Sequence, residues 1–194
     1  SDIRLLELLC GTVSSILNWQ QEYKKVHLTS IHDGLTGLLN HKAFLDRFEE
    51  EISRAGRFNH MLGLVVLDLD KFKSVNDDYG HLYGDYVLRE VSDIIADNVR
   101  AIDVVGRYGG EEFAVLLVNT NIKQCLPLAQ RIVKSIADKT FLEGGIAVNI
   151  TISAGLAGFP QHAEEVRSLI SKADKAMYDT KANGGNDVTI ASEL

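Results

Sequence analysis

Two periodicities of apolar residues run through residues 30–194 and predict an α/β domain. In four segments, apolar side chains recur three or four positions apart, which is the spacing of one buried helix face. The predicted helices cover residues 41–59, 83–99, 123–139 and 164–181. Leu62–Leu69 is instead almost continuously apolar, and a run of this length favours a strand that is covered on both faces.

Shorter strand-like segments surround a pair of adjacent glycines. Val104 and Val105 precede Gly109-Gly110, and residues 113–118 follow it. A Gly-Gly pair favours a two-residue hairpin turn with positive φ. Residues 147–155 are also strand-like, and residues 188–190 are expected to form an edge strand. From residue 62 onward the order is βαββαβ, which predicts a ferredoxin-like antiparallel sheet with flanking helices.

Residues 1–28 follow a different pattern from the rest of the chain. Their larger side chains alternate three and four positions apart, the spacing of a coiled-coil seam. The seam positions are Leu6, Leu9, Val13, Ile16, Gln20, Tyr23 and His27. A terminal helix that packs on its own domain is the alternative. We therefore divide the chain into an N-terminal helix or coiled-coil linker, residues 1–28, and a domain of residues 29–194.

Composition narrows the classes of function. The chain has 194 residues and a formal net charge of −7, which argues against a nucleic-acid-binding surface. An acidic pocket can still accept a nucleotide when divalent cations carry the opposing charge. No apolar run is long enough to span a membrane, and the first residues do not resemble a signal peptide, so we expect a cytoplasmic protein without membrane contact in this fragment. Cys10 and Cys125 are too few and too far apart in sequence for a disulfide framework or a zinc site.

Acidic residues cluster at two points where strands are predicted to end. Asp68-Leu69-Asp70 follows the apolar run, and Glu111-Glu112 follows the glycine pair. If the βαββαβ order is correct, its two central strands place Asp68 beside the second cluster. Carboxylate oxygens with room for water and phosphate are what Mg²⁺ requires. The alternative for the first cluster alone is a pair of solvated acids that end a strand.

The segment between the first acidic cluster and the second predicted helix is rich in polar side chains. Its members are Lys73, Asn76, Asp77, Asp78, His81 and Asp85. A helix that begins near His81 would place His81 and Asp85 on one face, with Asp85 in the first turn, where the helix dipole favours an acid. Helix caps and a polar loop are the structural alternative.

Three common catalytic or nucleotide-binding motifs are missing from the sequence. It contains no Walker A glycine-lysine loop, no G-x-G-x-x-G after a strand and no G-x-S-x-G elbow. With these classes disfavoured, the acidic clusters point to metal-assisted phosphoryl transfer.

Six ordered blocks of the sequence together resemble the GGDEF domain of bacterial diguanylate cyclases, here in the GGEEF variant. The blocks are residues 33–40, 68–76, 78–85, 107–113, 152–155 and 173–178. The resemblance implies a palm-like fold and an enzyme that joins two GTP molecules into cyclic di-GMP with release of two pyrophosphates. It also implies a homodimer, since each domain holds one GTP, and an upstream sensory domain whose signal residues 1–28 would transmit.

The resemblance assigns a metal centre with two Mg²⁺ or Mn²⁺ ions to the acidic clusters. Asp68, Glu112 and the Leu69 carbonyl would be ligands. Glu111 would bind metal and help to deprotonate the 3′-hydroxyl that attacks the α-phosphate of the second GTP. Lys73 would stabilise the charge that develops on the phosphate.

The resemblance also implies a set of GTP-binding residues. Asn76 and Asp85 match the pair that reads guanine, and Lys181 would meet the triphosphate from the last helix. The complete implied set is Phe72, Lys73, Asn76, His81, Asp85, Gly109, Gly110 and Lys181. One departure matters, because the family usually has an arginine at the position of Gly185. A smaller departure is His41, where arginine is common.

Arg100-Ala-Ile-Asp103 matches the family's inhibitory R-x-x-D site, which implies product inhibition by cyclic di-GMP, with Arg131 as a further contact. An arginine at a helix end beside a turn aspartate is the structural alternative. For the whole chain, the competing function is a catalytically weak module that binds GTP or cyclic di-GMP and regulates a partner. A purely structural dimerisation domain would leave the acidic clusters unexplained.

Overall fold

A five-stranded sheet forms the centre of the domain in the computed structural model, which describes residues 31–192. The helices are α1 (His41–Phe58), α2 (Phe72–Tyr79), α3 (His81–Asp97), α4 (Ile122–Ala137) and α5 (Val166–Ala182). The strands are β1 (Leu62–Leu69), β2 (Val104–Arg107), β3 (Glu112–Val118), β4 (Thr140–Glu143), β5 (Ile146–Asn149), β6 (Ile152–Phe159) and β7 (Val188–Ile190). The order in the main sheet is β2-β3-β1-β6-β7, antiparallel except that β7 runs parallel to β6. This order confirms the predicted ferredoxin-like arrangement and the edge position of β7.

Strand β1 is covered on both faces, as its apolar run predicts. Val65 and Leu67 belong to a core cluster with residues of α3 and α4. Leu64 and Val66 belong to a second cluster with residues of α1 and α5. Full burial of a side chain of this size contributes about 1.5–3 kcal/mol. Asp68 lies on the same side of β1 as Leu64 and Val66, so its carboxylate is on the face of the sheet that α1 and α5 cover.

Two segments differ from the predictions in their length or division. The polar stretch after β1 contains a helix of its own, α2, before α3 begins at His81 as expected. The predicted strand over residues 147–155 is divided, because β5 pairs with β4 in a separate two-stranded sheet while β6 belongs to the main sheet. Phe141 of β4 is fully buried, which anchors this small sheet to the core.

The prediction of a two-residue glycine turn is wrong. Arg107 pairs with Phe113, and the amide of Tyr108 donates to the Glu112 carbonyl at 2.8 Å, so the loop between β2 and β3 holds four residues, 108–111. Neither Gly109 nor Gly110 has a positive φ. In this wider loop Gly109 lies against the Glu112 side chain, since a Cβ at position 109 would be 2.2 Å from Glu112 Oε2.

The predicted seam of residues 1–28 lies outside the described residues. Within residues 31–192, the helices are too short or too polar to cross a bilayer.

Candidate active site

The two acidic clusters meet across the central strands of the sheet. Asp68 of β1 is the direct partner of Glu112 of β3 in the antiparallel register, so the two side chains leave the same face of the sheet. The Leu69 amide also donates to the Glu111 carbonyl at 3.4 Å, which ties the loop before β3 to the end of β1. The prediction that Asp68 lies beside the Glu111-Glu112 tip is confirmed.

A lysine from the last turn of α5 joins this acidic pair. Lys181 Nζ lies 2.5 Å from Asp68 Oδ1, and the two side chains are only 32% and 14% exposed. The contact is an ion pair without hydrogen-bond geometry: among residues 31–192, no donor is aligned with the buried Oδ1. Asp68 therefore presents a buried, negatively charged oxygen whose hydrogen-bonding capacity is unused.

The surroundings of Glu111 disfavour its negative charge. Partial burial raises the pKa of Glu111, and the Asp68 and Glu112 carboxylates raise it further against the opposing effect of Lys181. Burial and the Glu112 charge likewise raise the pKa of Asp174 on α5. The site thus holds several carboxylates that repel one another, an arrangement that a divalent cation stabilises.

The donor set fits a magnesium or manganese site in its chemistry. Hard carboxylate oxygens from Asp68, Glu111 and Glu112 are available, and the Asp68 oxygen without a hydrogen bond is a natural ligand atom. Within residues 31–192, however, no three His, Cys, Asp or Glu side chains are gathered closely enough to enclose an ion. The carboxylates that would hold a metal are therefore neighbours, and their side chains would have to move closer together to bind it.

An arginine fixes the loop that carries Glu111. Arg107 donates to the Gly110 carbonyl from Nη2 at 2.6 Å and from Nε at 3.2 Å. Its Nη1 binds both oxygens of Asp33 at 3.1 and 3.2 Å. Asp33 also accepts hydrogen bonds from the Thr36 amide and hydroxyl; although burial opposes this, the Thr36 and Arg107 bonds lower the pKa of Asp33.

Sequence reasoning assigned no role to Arg107 or Asp33. Both lie in blocks on which the family resemblance rests, and this was the one feature of the sequence that could have marked them as functional. Periodicity could not pair them, because they are separated by 74 positions and meet only when Leu39 joins the edge of β2.

The predicted guanine-reading residues lie at the junction of α2 and α3. Asn76 is in α2, and Asp85 is half-buried in the second turn of α3, so the prediction that it lies in the first turn is wrong. Gly84 lets the Asn76 side chain approach α3, because a Cβ at position 84 would lie 2.0 Å from Asn76 Oδ1. His81 and Lys73 are exposed beside them. The Phe72 side chain is only 4% exposed and belongs to the core, so its backbone rather than its ring is available to a phosphate.

The residues of the predicted inhibitory site bind each other. Arg100 donates to Asp103 from Nε at 3.1 Å and from Nη2 at 3.0 Å, and Nη2 also contacts the Val118 carbonyl and the Thr120 hydroxyl. The Asp103 side chain is fully buried, and it accepts the Val118 amide at 3.0 Å. Arg131 does not join them, because its guanidinium binds Asn98 Oδ1 and O at 2.8 and 2.7 Å.

Comparison with known proteins identifies relatives of the whole described domain. The family model of the diguanylate cyclase GGDEF domain matches residues 30–187. Diguanylate cyclase A of Treponema denticola is 41% identical over 140 residues, which is 72% of this chain and 38% of that protein. The chain spans about two fifths of the length of the first curated relatives.

Solved structures of the same kind superpose on the chain. The coiled coil and GGDEF domain of DgcB from Caulobacter crescentus, solved in complex with c-di-GMP, is 29% identical with a TM-score of 0.89 and covers 96% of this chain and 99% of that one. An active GGEEF domain of a diguanylate cyclase from Vibrio cholerae is also 29% identical, with a TM-score of 0.76, over 81% of this chain and 99% of that one.

Proposed function

Since this chain belongs to the GGDEF domain family of diguanylate cyclases, we propose that it condenses two GTP molecules into cyclic di-GMP and releases two pyrophosphates. The observation that carries the proposal is the alignment of Asp68 with Glu112 across the central strands, with Lys181 at the Asp68 carboxylate. Hard carboxylate oxygens and one cation thus lie together at the end of the sheet, which supports metal-assisted phosphoryl transfer on a nucleotide. The Gly-Gly-Glu-Glu-Phe sequence of the loop is compatible with catalysis, since the Vibrio cholerae domain that shares this motif is an active GGEEF domain.

Glu111 and the two lysines would have different tasks in this reaction, beside the bound ions. Bound divalent ions would neutralise phosphate charge and acidify the attacking hydroxyl. Glu111 would help to hold the metal with Asp68 and Glu112 and would accept the proton of the 3′-hydroxyl, which the metal makes more acidic. Lys181 would exchange its contact with Asp68 for a phosphate oxygen, and exposed Lys73 would contact the phosphates from α2. Each domain would hold one GTP, so two chains would have to face each other.

Incubation of the protein with GTP and Mg²⁺ tests the proposed activity directly. Chromatography should show cyclic di-GMP and pyrophosphate in a ratio of one to two, as the proposed condensation requires. The rate per chain should rise with protein concentration, because the reaction joins two half-sites. Formation of pyrophosphate without cyclic di-GMP would contradict the proposal.

One observation favours the alternative of a GTP- or cyclic di-GMP-binding regulator. Gly185 supplies no cation where the family usually has an arginine, so one charge-assisted phosphate contact is missing. A regulator would bind GTP or cyclic di-GMP with no turnover at any protein concentration. The turnover experiment therefore separates the two functions.

Replacing Asp85 by alanine should weaken the preference for GTP over ATP. A carboxylate accepts hydrogen bonds from guanine N1–H and the 2-amino group, whereas adenine would leave it unpaired at a cost of about 1–3 kcal/mol. We therefore expect the ratio of ATP to GTP dissociation constants to fall about tenfold or more. Calorimetric titration with each nucleotide measures the ratio. Asp78→Ala, at an exposed position of α2, is the matched control. Unchanged discrimination between GTP and ATP in Asp85→Ala would reject the assignment of Asp85 to guanine recognition.

Product inhibition is proposed at Arg100 and Asp103, whose mutual ion pair would open to bind cyclic di-GMP. Arg100→Ala should raise the cyclic di-GMP concentration needed for half-inhibition about tenfold or more, since a charge-assisted contact to phosphate is lost. The initial rate before product accumulates should stay near that of the unchanged protein. Lys134→Ala, which removes an exposed cation from α4, is the control. Equal inhibition in Arg100→Ala would show that the pair has only a structural role.

A further inference from the structure

Asp70 lies only two residues after Asp68, but the structure gives its carboxylate a different environment. Oδ1 accepts the Ser153 hydroxyl at 2.6 Å. Oδ2 accepts the Thr151 hydroxyl at 2.6 Å and the Asn186 amide at 3.0 Å. Both oxygens are thus used inside the protein by Thr151 just before β6, by Ser153 of β6 and by the segment that follows α5. Asp70 is not a second copy of Asp68, whose buried oxygen accepts no hydrogen bond from the described residues.

The segment after α5 fits closely against the Asp70 carboxylate. Gly184, Gly185 and Asn186 have φ values of +114°, +75° and +55°, so the backbone turns through the left-handed region at three successive positions. A Cβ at position 185 would lie 2.9 Å from Asp70 Oδ2 and 3.0 Å from both Cγ and Oδ1. Because three hydrogen bonds hold that carboxylate, it cannot easily move away. Glycine at 185 is therefore required both by φ and by the contact with Asp70.

The same segment is bound to the end of α5. The Gly185 amide donates to the Thr180 carbonyl at 3.0 Å, and the Gly184 amide donates to the Lys181 carbonyl at 3.2 Å. These bonds close the last turn of the helix, which is where Lys181 projects toward Asp68. A continuous set of contacts thus runs from Asp70 through residues 184–186 to the backbone of Lys181.

We propose that Asp70 is a positioning residue for Lys181. By holding residues 184–186, Asp70 fixes the last turn of α5 and keeps the Lys181 ammonium over Asp68, where it can meet a phosphate. This inference rests on the proposed function for the phosphate contact, but the positioning itself is a property of the folded chain. It also gives glycine at position 185 a structural reason, since a Cβ there would crowd the Asp70 carboxylate.

The first test measures the positioning without any nucleotide. Hydrogen exchange of the backbone amides of residues 181–186, followed in the full chain, should accelerate about tenfold or more in Asp70→Ala, because the hydrogen bond to the Asn186 amide is lost. Gly185→Ala should accelerate exchange of the same amides, because its methyl group would crowd the Asp70 carboxylate. Gly144→Ala is the matched control, since its φ of +59° imposes similar strain and a methyl group there meets nothing within 4 Å. Unchanged exchange in Asp70→Ala would overturn the proposal whatever the protein does with GTP.

The second test is a double-mutant cycle on GTP affinity, measured under conditions without turnover. Asp70→Ala and Lys181→Met should each weaken binding about tenfold, and Asp70→Ala should add nothing further in the Lys181→Met background. Equal effects of Asp70→Ala in both backgrounds would mean that Asp70 acts independently of Lys181. Thr151→Val, which removes one hydroxyl donor just before β6 but leaves the Asn186 contact, should bind GTP normally; a defect there would assign the role to the Thr151 hydrogen bond instead. A wild-type protein that fails to bind GTP would reject the proposed function alone, since the exchange test still decides the positioning.

Discussion

Glu111→Gln should reduce cyclic di-GMP synthesis by about 10³-fold while the protein remains folded, the largest single loss of activity that we expect. Glutamine keeps the shape of the side chain but removes a ligand charge and the proton acceptor for the 3′-hydroxyl. Loss of one such electrostatic contribution to a transition state typically costs about 10²–10³ in kcat, and general base catalysis contributes about 10²-fold or more. The measurement is the initial rate of cyclic di-GMP formation at saturating GTP and Mg²⁺. Glu49→Gln, an exposed position on α1, is the control with the same change of charge.

The same substitution should raise the stability of the metal-free protein. Because burial and the neighbouring Asp68 and Glu112 charges raise the pKa of Glu111, its ionised form is disfavoured in the folded state. Folding stability therefore falls as pH rises from the unfolded pKa of Glu111 through its higher folded pKa. Glu111→Gln removes this penalty, so its stability gain should be full at pH 7 and vanish below about pH 4, near the pKa of an unfolded glutamate.

Chemical denaturation of both proteins at pH 7 and in acid measures this gain. Added Mg²⁺ should stabilise the unchanged protein more than Glu111→Gln, because the ion compensates the charge that the variant lacks. A loss of stability at pH 7 would show that Glu111 is a structural residue, and an activity equal to that of Glu49→Gln would remove it from catalysis.

Arg107→Met should combine a large loss of activity with a loss of stability. Arg107 holds the Gly110 carbonyl and the Asp33 carboxylate together, so its removal frees the loop that carries Glu111. Asp33 keeps its hydrogen bonds from Thr36 but loses the guanidinium that compensates its charge. Hydrogen bonds to charged groups contribute about 1.5–3 kcal/mol, and we expect the free energy of unfolding to fall by about that amount. Misplacement of Glu111 should lower the rate about 100-fold, since small displacements of catalytic groups have effects of that size.

Denaturation curves and initial rates of Arg107→Met, compared with those of Arg57→Met, separate the loss of stability from the loss of activity. Arg57 is an exposed arginine in the last turn of α1, so its substitution should change neither quantity. The stability difference should be full near pH 7 and shrink as pH falls through the lowered pKa of Asp33, because a protonated Asp33 no longer needs the guanidinium. Loss of activity without loss of stability would mean that Arg107 acts on the substrate and not on the loop.

The two predictions depend on the sequence to different degrees. Glu111 was a candidate from the chain alone, because a pair of acids beside glycines between two strand-like segments predicts an acidic hairpin tip. Its raised pKa comes first from burial and then from Asp68, which is a neighbour only in the register of β1 and β3. Arg107 was part of a family block without an assigned role, because its partner Asp33 lies 74 positions away.

The errors in the predictions have a common physical cause. The glycine pair favoured a two-residue turn on local preference, whereas the structure has a wider loop in which Gly109 lies against the Glu112 side chain and neither glycine has a positive φ. The residue pattern alone did not separate Asp68 from Asp70, and only the family resemblance named Asp68 as a metal ligand. In the structure, β1 ends at Leu69: Asp68 lies in the strand and meets Lys181, whereas the Thr151 and Ser153 hydroxyls and the Asn186 amide bind Asp70.

By itself, the sequence determined the helices other than α2, the buried central strand and the kinds of chemistry that the acids and lysines can perform. These follow from spacing over a few residues, where apolar periodicity and side-chain type are sufficient. Only the tertiary structure decided which of those groups meet: Asp68 with Glu112, Arg107 with Asp33, and Asp70 with a segment 116 positions away. Such pairs depend on strand register and loop path, because a contact between distant residues is set by the packing of the whole domain and leaves no local pattern in the chain.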